Sequence, residues 1–360
     1  MKTVTVELGE RSYPIHIGEG LLEETGELIK SSGCGKTVLL VSNSQVFLLY
    51  GGVVEVSLKQ HGFQVATGII GAGEEHKNLA TAKKLYDLAF TAGLDRRCAV
   101  CALGGGVVGD VAGFVAATYL RGVPLIQLPT TLLAQVDSSV GGKVAVNHPG
   151  GKNIIGAFYQ PKLVLADTAA IKTLPPREIK SGLAEIIKYG IIWNPQFYAW
   201  LEENISGLLA GQPESLAQAV QESCRIKASV VEQDETEQDL RAILNFGHTL
   251  AHAVETLTRY RVFNHGEAVG LGMAFAARLA ANLGLLPGRE AERITALIRR
   301  GGLPGDLPAG LPADALVAAM RQDKKAIAKS LTMVLPAAIG RVEVVRDVPE
   351  EAVRKLLSSS

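Results

Sequence analysis

The first half of the chain alternates short apolar, β-branched runs with stretches whose apolar residues recur at helical spacing. Residues 1–10 alternate like a half-buried strand, whereas 98–103 is apolar throughout, as in a strand buried on both faces. Strands are also predicted at 36–42 and 124–129, and a helix at 79–91. Because strands alternating with helices favour a parallel sheet with helical crossovers, we predict an α/β nucleotide-binding domain. Its predicted bounds are 1–172.

The pattern changes at Thr173-Leu-Pro-Pro-Arg, where a proline pair can end one element and begin a helix. Beyond it the spacing is helical almost to the end, and only 331–335 and 340–345 resemble strands. We therefore predict a mainly α-helical second domain over 173–360. The predicted helices are 177–191, 195–209, 214–232, 237–257, 266–283, 289–300 and 313–322.

The composition excludes several classes of partner. Lysine plus arginine and aspartate plus glutamate each number 36 in 360 residues, so no net charge favours nucleic acid or an anionic membrane. The most apolar long run, 268–286, is interrupted by Arg278 and Asn282, which favours a buried helix over a membrane span. Residues 1–10 lack the features of a signal peptide. We expect a cytoplasmic protein that binds neither nucleic acid nor membrane.

The four cysteines are few and scattered, which fits a reducing compartment. Cys98-Ala-Val-Cys101 has the spacing of a redox motif, but it lies in the apolar run 98–103. In a strand the two thiols would point to opposite faces, so we predict that both pack in the core.

A glycine-rich turn, Gly104-Gly-Gly-Val-Val-Gly-Asp110, follows the apolar strand and precedes a helical stretch. It satisfies Gly-x-Gly-x-x-Gly in the strand-to-helix context of a dinucleotide site, where helix N–H groups bind the pyrophosphate. The acidic residue that usually holds the ribose about twenty positions later is replaced by Gln127-Leu-Pro-Thr-Thr. Asn43 or the segment 73–77 are the candidates for that role. A structural glycine turn is the alternative.

Two further segments, 137–143 and 149–153, each place a lysine after a pair of glycines. Glycine exposes backbone N–H groups and lysine adds a point charge, which together suit phosphate or carboxylate. Lys143 and Lys152 are therefore candidate anion-binding residues. A solvated loop is the alternative for each.

Residues 236–257 lack proline and predict one helix, with Thr236 as its N-cap. At about 100° per residue, four polar side chains of this helix would form one stripe. These are Arg241, Asn245, His248 and His252.

Two imidazoles from separate elements suggest a zinc site. A turn after this helix would place His265 at the start of the next one, so that it could join His248. Catalytic zinc usually takes three protein ligands and keeps one position open. Glu185, on an apolar helix with Lys188 three residues later, is the candidate third ligand. Ordinary core histidines and a surface ion pair are the alternatives.

Eight short motifs occur together along the chain, and in combination they are specific for sugar-phosphate cyclases. Through them the chain resembles the 3-dehydroquinate synthase family over essentially its whole length. The motifs are Gly-Glu-x-x-Lys at 73–77, the glycine turn at 104–110, Pro-Thr-Thr at 129–131, Asp-x-x-x-Gly-Gly-Lys at 137–143, Gly-Lys-Asn at 151–153, Glu-x-x-Lys at 185–188, Asn-Phe-Gly-His-x-x-x-His at 245–252 and Asn-His-Gly-Glu at 264–267.

The resemblance implies a homodimeric enzyme of the shikimate pathway. It would convert 3-deoxy-D-arabino-heptulosonate 7-phosphate to 3-dehydroquinate and phosphate, with catalytic NAD and one divalent metal, usually zinc or cobalt. The implied steps are oxidation of an alcohol by NAD, elimination of phosphate, return of the hydride, and ring opening followed by intramolecular aldol closure. NAD would end unchanged.

The resemblance also implies a role for individual residues. The metal ligands would be Glu185, His248 and His265. The residues at NAD would be Asn43, Gly73, Glu74, Lys77, Gly105, Gly106, Val107, Val108, Gly109, Asp110, Thr130, Thr131, Lys143, Lys152 and Thr173. The residues at the substrate would be Asp137, Lys143, Lys152, Asn153, Lys188, Lys227, Arg241, Asn245, His252 and one lysine of the pair Lys324 and Lys325.

Among the substrate residues, we assign Arg241 to the carboxylate as a planar fork and His252 to proton transfer. The lysines assigned to phosphate are Lys152, Lys188, Lys227 and either Lys324 or Lys325.

Three other functions remain open from the sequence. A metal-dependent polyol or alcohol dehydrogenase would share the glycine turn and the metal but would release NADH. Another sugar-phosphate cyclase would act on a substrate that has no carboxylate, which Arg241 disfavours. A non-catalytic NAD-binding regulator would not need the metal and phosphate residues.

Overall fold

The computed structural model describes residues 1–308, 310–323 and 331–358. Contacts divide the described chain into two compact units. The first comprises Met1–Leu174 with Leu216–Glu235, and the second comprises Pro175–Ser215 with Thr236–Ser360. The functional division predicted from the sequence, 1–172 and 173–360, stays a prediction.

Within the described residues, the strands form one large sheet and two hairpins. In the seven-stranded sheet the order is β1-β2-β9-β6-β5-β3-β4, with β1 antiparallel to β2 and all other neighbours parallel. The strands are β1 Lys2–Val6, β2 Tyr13–Gly18, β3 Thr37–Asn43, β4 Gln64–Ile70, β5 Ala99–Gly104, β6 Leu125–Pro129, β7 Lys143–His148, β8 Gly151–Phe158, β9 Leu163–Asp167, β10 Leu331–Ala338 and β11 Arg341–Val348.

Helices alternate with strands in the first half of the described chain and predominate in the second half. The α-helices are α1 Thr25–Ser31, α2 Ser44–Val46, α3 Gly52–Gln60, α4 Leu79–Thr91, α5 Gly106–Thr118, α6 Pro176–Ile192, α7 Pro195–Leu209, α8 Pro213–Gln233, α9 His248–Leu257, α10 His265–Asn282, α11 Gly288–Arg300, α12 Ala313–Asp323 and α13 Glu350–Ser358. The predicted parallel α/β domain and mainly helical second part are confirmed.

The sheet of the first unit is covered on both faces, so its central strands are apolar throughout. On β3, Leu39 and Val41 pack in one cluster while Val38 and Leu40 pack in the other. This is the alternation that a strand imposes on its side chains. It also explains the continuous apolar run of β5, in which every residue is buried.

The cysteines behave as the sequence predicts. Cys98 and Cys101 are buried in opposite core clusters, and every cysteine of the chain is a free thiol. Burial raises the pKa of Cys98 to about 12, so its reactive thiolate is disfavoured.

In the second unit α10 is the central helix, with contacts to α6, α9, α11 and β10. It is buried along most of its length, which confirms the prediction of a buried helix for this apolar run. Among the described residues, no helix combines the length and hydropathy that crossing a membrane requires. The hairpin β7–β8 and helix α13 were not predicted from the sequence.

Candidate functional site

Three ligand-type side chains meet in the second unit. Glu185 comes from the middle of α6, His248 is the first residue of α9, and His265 is the first residue of α10. The Nε2 atoms of His248 and His265 lie 3.7 and 3.6 Å from Glu185 Oε1. One ligand atom from each residue lies within 4.8 Å of the other two. The structure therefore brings together the three residues that the sequence proposed as metal ligands.

The other nitrogen of each imidazole has a hydrogen-bond acceptor. His248 Nδ1 lies 3.1 Å from the carbonyl oxygen of Phe246, and His265 Nδ1 lies 3.3 Å from Glu255 Oε1. In a neutral imidazole, a proton on Nδ1 that is donated to an oxygen leaves a lone pair on Nε2. Both rings thus direct a potential ligand atom toward Glu185.

Glu255 was missed in the sequence analysis. It lies on α9, seven residues after His248 and three after His252, so helical spacing brings it back near the same face. That spacing was a usable signal, because a glutamate on a largely buried helix needs a partner.

The cluster also contains a buried cation. Lys188 Nζ pairs with Glu185 Oε2, and the exposed fractions of the two side chains are 2% and 0%. Glu185 therefore faces Lys188 with one oxygen and the imidazoles with the other. A fully buried carboxylate is tolerated here because a cation compensates its charge.

The two histidines differ in their titration. Burial, together with the positive charge of Lys188, lowers the pKa of His248 to about 3. Burial also acts to lower the pKa of His265, but the neighbouring carboxylates of Glu185 and Glu255 outweigh it and raise that pKa to about 10. A neutral imidazole, such as that of His248, is the form that binds a metal.

The donor set fits a catalytic divalent metal. Two imidazole nitrogens and one carboxylate are a common set for zinc with one position open to water or substrate. The Nδ1 contacts are the outer hydrogen bonds that metal-binding histidines usually make. Glu185, His248 and His265 could therefore hold such an ion.

The predicted single helix over 236–257 is wrong. The chain forms a 3-10 helix at Leu240–Asn245, is interrupted at Phe246 and Gly247, and only then begins α9. Gly247 has a φ of 81°, in the left-handed region that ends a right-handed helix. Thr236 lies in a turn before these elements.

Because of this interruption, the four polar residues do not form one stripe on a single helix. Arg241 and Asn245 lie on the 3-10 helix, whereas His248 and His252 remain one turn apart on α9 with ring centroids 5.5 Å apart. Arg241 is only 1% exposed, and Asn245 Nδ2 donates to Glu237 Oε1 at 2.9 Å.

Glycines allow the ligand-bearing elements to approach at backbone distance. A Cβ at Gly266 would overlap the backbone of Ser181 on α6, and a Cβ at Gly272 would overlap the carbonyl oxygen of Gly247. The N–H of Gly266 donates to Ser181 Oγ at 3.1 Å. Glycine at these positions therefore fixes how closely α10 packs against α6 and against the turn before α9.

In the first unit, the glycine turn has the predicted strand-to-helix context. β5 ends at Gly104, Gly105 is the N-cap, and α5 begins at Gly106. The first N–H groups of a helix lack acceptors within it and carry a partial positive charge. This end of α5 is suited to a pyrophosphate.

The neighbours of the turn are also among the predicted NAD residues. A Cβ at Gly105 would lie 3.1 Å from Thr131 Cγ2, and Thr130 N donates to the carbonyl of Gly104 at 3.0 Å. Val107 and Val108 belong to the first turn of α5, and Val108 is buried. The turn and the segment after β6 therefore form one local structure.

A polar network connects the segment 73–77 to α5 and to the β7–β8 hairpin. Lys77 is buried, pairs with Asp110 and donates to Asn153 Oδ1. Burial raises the pKa of Asp110, although the charge of Lys77 acts in the opposite direction. Three of the predicted NAD or substrate residues thus lie together, namely Lys77, Asp110 and Asn153. Glu74 joins them because Asn147 bonds to both Glu74 and Asn153.

Asn147 on β7 is a second residue that the sequence analysis missed. Its Nδ2 donates to Glu74 Oε1 at 2.8 Å, and its Oδ1 accepts from the N–H of Asn153 at 2.9 Å. Lys152 Nζ lies 3.8 Å from Glu74 Oε1. No motif marked Asn147, because its role depends on a hairpin that was not predicted.

The structure places the remaining predicted residues of the first unit as follows. Lys227 Nζ contacts Asp137 Oδ1 at 2.7 Å, whereas Lys143 is exposed at the start of β7. The Oδ1 of Asn43 accepts from Val46 N as a helix cap, and Thr173 Oγ1 contacts the hydroxyl of Tyr50 at 2.7 Å. Gly73 has a φ of 108°, which allows the turn before Glu74. Lys324 and Lys325 lie outside the described residues.

Solved structures with a similar fold indicate the class of protein. A 2-deoxy-scyllo-inosose synthase complexed with carbaglucose-6-phosphate, NAD⁺ and Co²⁺ is 28% identical, with a TM-score of 0.90 and full coverage of both chains. A 2-epi-5-epi-valiolone synthase from Streptomyces hygroscopicus subsp. jinggangensis, with NAD⁺ and Zn²⁺ bound, is also 28% identical, with a TM-score of 0.88 and 98% coverage of both chains. The fold is therefore that of the sugar-phosphate cyclases.

Sequence comparison narrows the class to one family. The model of the 3-dehydroquinate synthase N-terminal domain matches residues 67–181, and that of the C-terminal domain matches 182–326. A 3-dehydroquinate synthase of Pelotomaculum thermopropionicum is 62% identical over 359 residues, which cover 100% of this chain and 97% of that relative. The chain belongs to the 3-dehydroquinate synthase family.

Proposed function

We propose that the chain catalyses the conversion of 3-deoxy-D-arabino-heptulosonate 7-phosphate to 3-dehydroquinate and phosphate. The observation that carries this proposal is the cluster of Glu185, His248 and His265, in a chain that matches 3-dehydroquinate synthases over its full length. The proposed enzyme is thus a phosphate-eliminating carbon–oxygen lyase.

The proposed cofactors are NAD and one divalent metal, zinc or cobalt. Both are present in structures of similar cyclases, as NAD⁺ with Co²⁺ or with Zn²⁺. When bound, NAD accepts and returns a hydride, and the metal lowers the pKa of a coordinated hydroxyl. Glu185, His248 and His265 would hold the metal.

The protein's own contribution begins with orientation. Phe246 and Glu255 accept hydrogen bonds from Nδ1 of the two imidazoles, which leaves each Nε2 able to bind the metal. At the start of α5, the N–H groups of the glycine turn would bind the pyrophosphate of NAD. We assign Lys77, Asp110, Thr130 and Thr131 to the same cofactor.

The substrate assignments made from the sequence stay proposals, to be tested one residue at a time. Arg241 would bind the carboxylate through its planar guanidinium, and His252 would transfer a proton. The ammonium groups of Lys152, Lys188 and Lys227 would bind phosphate as point charges. Asp137, Lys143, Asn153 and Asn245 would complete the set.

The competing functions are less well supported. A dehydrogenase that releases NADH is not favoured, because the family models and the 62% identical relative are those of 3-dehydroquinate synthases. The solved 2-deoxy-scyllo-inosose synthase and 2-epi-5-epi-valiolone synthase are each 28% identical to this chain, against 62% for the 3-dehydroquinate synthase relative.

One assay separates these functions. The purified protein is incubated with the heptulosonate phosphate, catalytic NAD and Zn²⁺, while phosphate release and NADH absorbance are followed. We expect phosphate in stoichiometric amount, no net NADH, and loss of turnover with a chelator. NADH accumulating in step with product would contradict the proposal in favour of the dehydrogenase.

We also propose that the enzyme is a homodimer in the cytoplasm. The family resemblance suggests the dimer, and four free cysteines, three of them buried, are typical of a reducing compartment. Light scattering coupled to size-exclusion chromatography should give twice the chain mass of 38.1 kDa. A monomeric mass at micromolar concentration would contradict the dimer.

A further inference from the structure

Glu255 contacts the metal cluster from outside the ligand set. It lies on α9 with its side chain largely buried, and its Oε1 is 3.3 Å from His265 Nδ1. We propose that Glu255 is a positioning residue for the metal centre, which holds the His265 imidazole in the orientation and tautomer that bind metal through Nε2. This inference rests on the metal site of the proposed function.

The geometry places one imidazole between two carboxylates. On one side of the His265 ring, Nε2 is 3.6 Å from Glu185 Oε1, and on the other side, Nδ1 is 3.3 Å from Glu255 Oε1. An ionised carboxylate can only accept a hydrogen bond, so Nδ1 must carry a proton toward Glu255. When Nε2 gives up its proton to bind a metal, Glu255 stabilises the tautomer that keeps the proton on Nδ1.

The two histidines differ in the acceptor that each Nδ1 contacts. His248 Nδ1 donates to the backbone carbonyl of Phe246, a neutral acceptor that no side-chain substitution removes. His265 instead depends on a charged side chain from a different helix, since Glu255 is on α9 and His265 begins α10. A charged acceptor makes the ring a stronger ligand as well as orienting it.

The effect should appear in metal binding without substrate or NAD. Loss of an outer-shell partner of this kind typically weakens metal binding about 10- to 100-fold. We expect a loss in that range for Glu255→Ala and a smaller loss for Glu255→Gln. Glutamine keeps an oxygen that can accept from Nδ1 but lacks the negative charge.

The experiment measures the dissociation constants of Zn²⁺ and Co²⁺ by competition with a chromophoric chelator, on the full chain and its variants. The visible absorption of the Co²⁺-loaded protein provides a second readout, because it depends on ligand geometry and strength. We expect a changed Co²⁺ spectrum in both Glu255 variants. If Glu255→Ala does not fold, the nearly isosteric Glu255→Gln carries the test.

Glu267 provides a matched control. It lies in the first turn of α10, where it accepts from the N–H of Asn264 and pairs with Arg177 at 2.6 Å. Glu267→Ala should destabilise the start of α10 while leaving the metal dissociation constant within about threefold of the wild-type value. An equal loss of affinity in Glu267→Ala and Glu255→Ala would assign the effect to helix stability and overturn the proposal.

Failure of this inference can be distinguished from failure of the proposed function. If the wild-type protein binds neither metal, the metal site itself is wrong. If the wild type binds metal while Glu255→Ala binds equally well with the same Co²⁺ spectrum, only the positioning role is wrong.

Discussion

At the scale of single residues, the ion pair between Glu185 and Lys188 allows a carboxylate to be buried in the second unit. Both side chains are essentially inaccessible to solvent, so neither charge could be buried there alone. The Lys188 ammonium therefore compensates the charge of the Glu185 carboxylate in the interior.

We predict that Lys188→Met lowers the free energy of unfolding by about 3–5 kcal/mol in protein stripped of metal, because it removes the buried cation that pairs with Glu185 Oε2. With saturating Zn²⁺ the loss should be smaller, since the ion would compensate the same charge. Urea denaturation under both conditions measures the difference.

The matched control is Lys83→Met, which removes an exposed pair with Asp87 and should change stability by less than about 1 kcal/mol. Equal effects of the two substitutions would show that burial of the pair is unimportant.

The three proposed ligand residues were recognisable in the sequence, but the residues that surround them were not. Glu185, His248 and His265 stand in motifs, and the structure brings them together. Glu255 and Asn147 act through contacts between elements, which no local spacing specifies. Their positions depend on how α10 follows α9 and on the hairpin between β7 and β8.

At the scale of elements, most of the helices that were predicted with bounds agree with the structure within a residue or two, because their apolar faces are long and regular. Among these predictions the exception was 237–257, where helical spacing continues through Gly247 but the backbone does not. Tertiary packing decided this, since Gly247 lies against α10 next to Gly272. The spacing of apolar residues along the sequence does not reveal such a contact between two helices.

We predict that Gly247→Ala weakens metal binding at least tenfold and destabilises the protein by about 1–3 kcal/mol. Its φ is 81°, and a Cβ would lie 2.7 Å from Met273 Cγ and 2.9 Å from Met273 N. The turn must therefore shift, and His248 is the next residue. Chelator competition and thermal unfolding measure the two effects.

Gly284→Ala is the control that separates the cost of backbone strain from a displacement of His248. Gly284 also has a left-handed φ, 74°, but a Cβ there would have no described atom within 4 Å. We expect a loss of about 1 kcal/mol with unchanged metal affinity. If Gly284→Ala weakened metal binding as much as Gly247→Ala, general destabilisation would explain both.

At the scale of the whole molecule, the proposed metal ligands come from three helices of the second unit, α6, α9 and α10. An ion that binds all three binds the folded chain in preference to the unfolded one. Its binding free energy then adds to stability by mass action.

We predict that free Zn²⁺ at a hundred times its dissociation constant adds about 2.7 kcal/mol to the stability of the folded chain. A raised Tm that returns to its starting value with excess chelator is the expected measurement. His265→Ala should remove the shift, because it removes a ligand. A persistent shift in that variant, with full metal content, would show that the ligand set is wrong.

Two glycines of α10 limit which substitutions the sequence can accept. A Cβ at Gly266 or Gly272 would overlap backbone atoms, which cannot adopt another rotamer to make room for a new side chain. The apolar residues around them can exchange size with one another, as core residues often do. In a saturation-mutagenesis library selected for function, these two codons should therefore tolerate almost no replacement, whereas Leu271 and Phe275, buried on the same helix, should accept several.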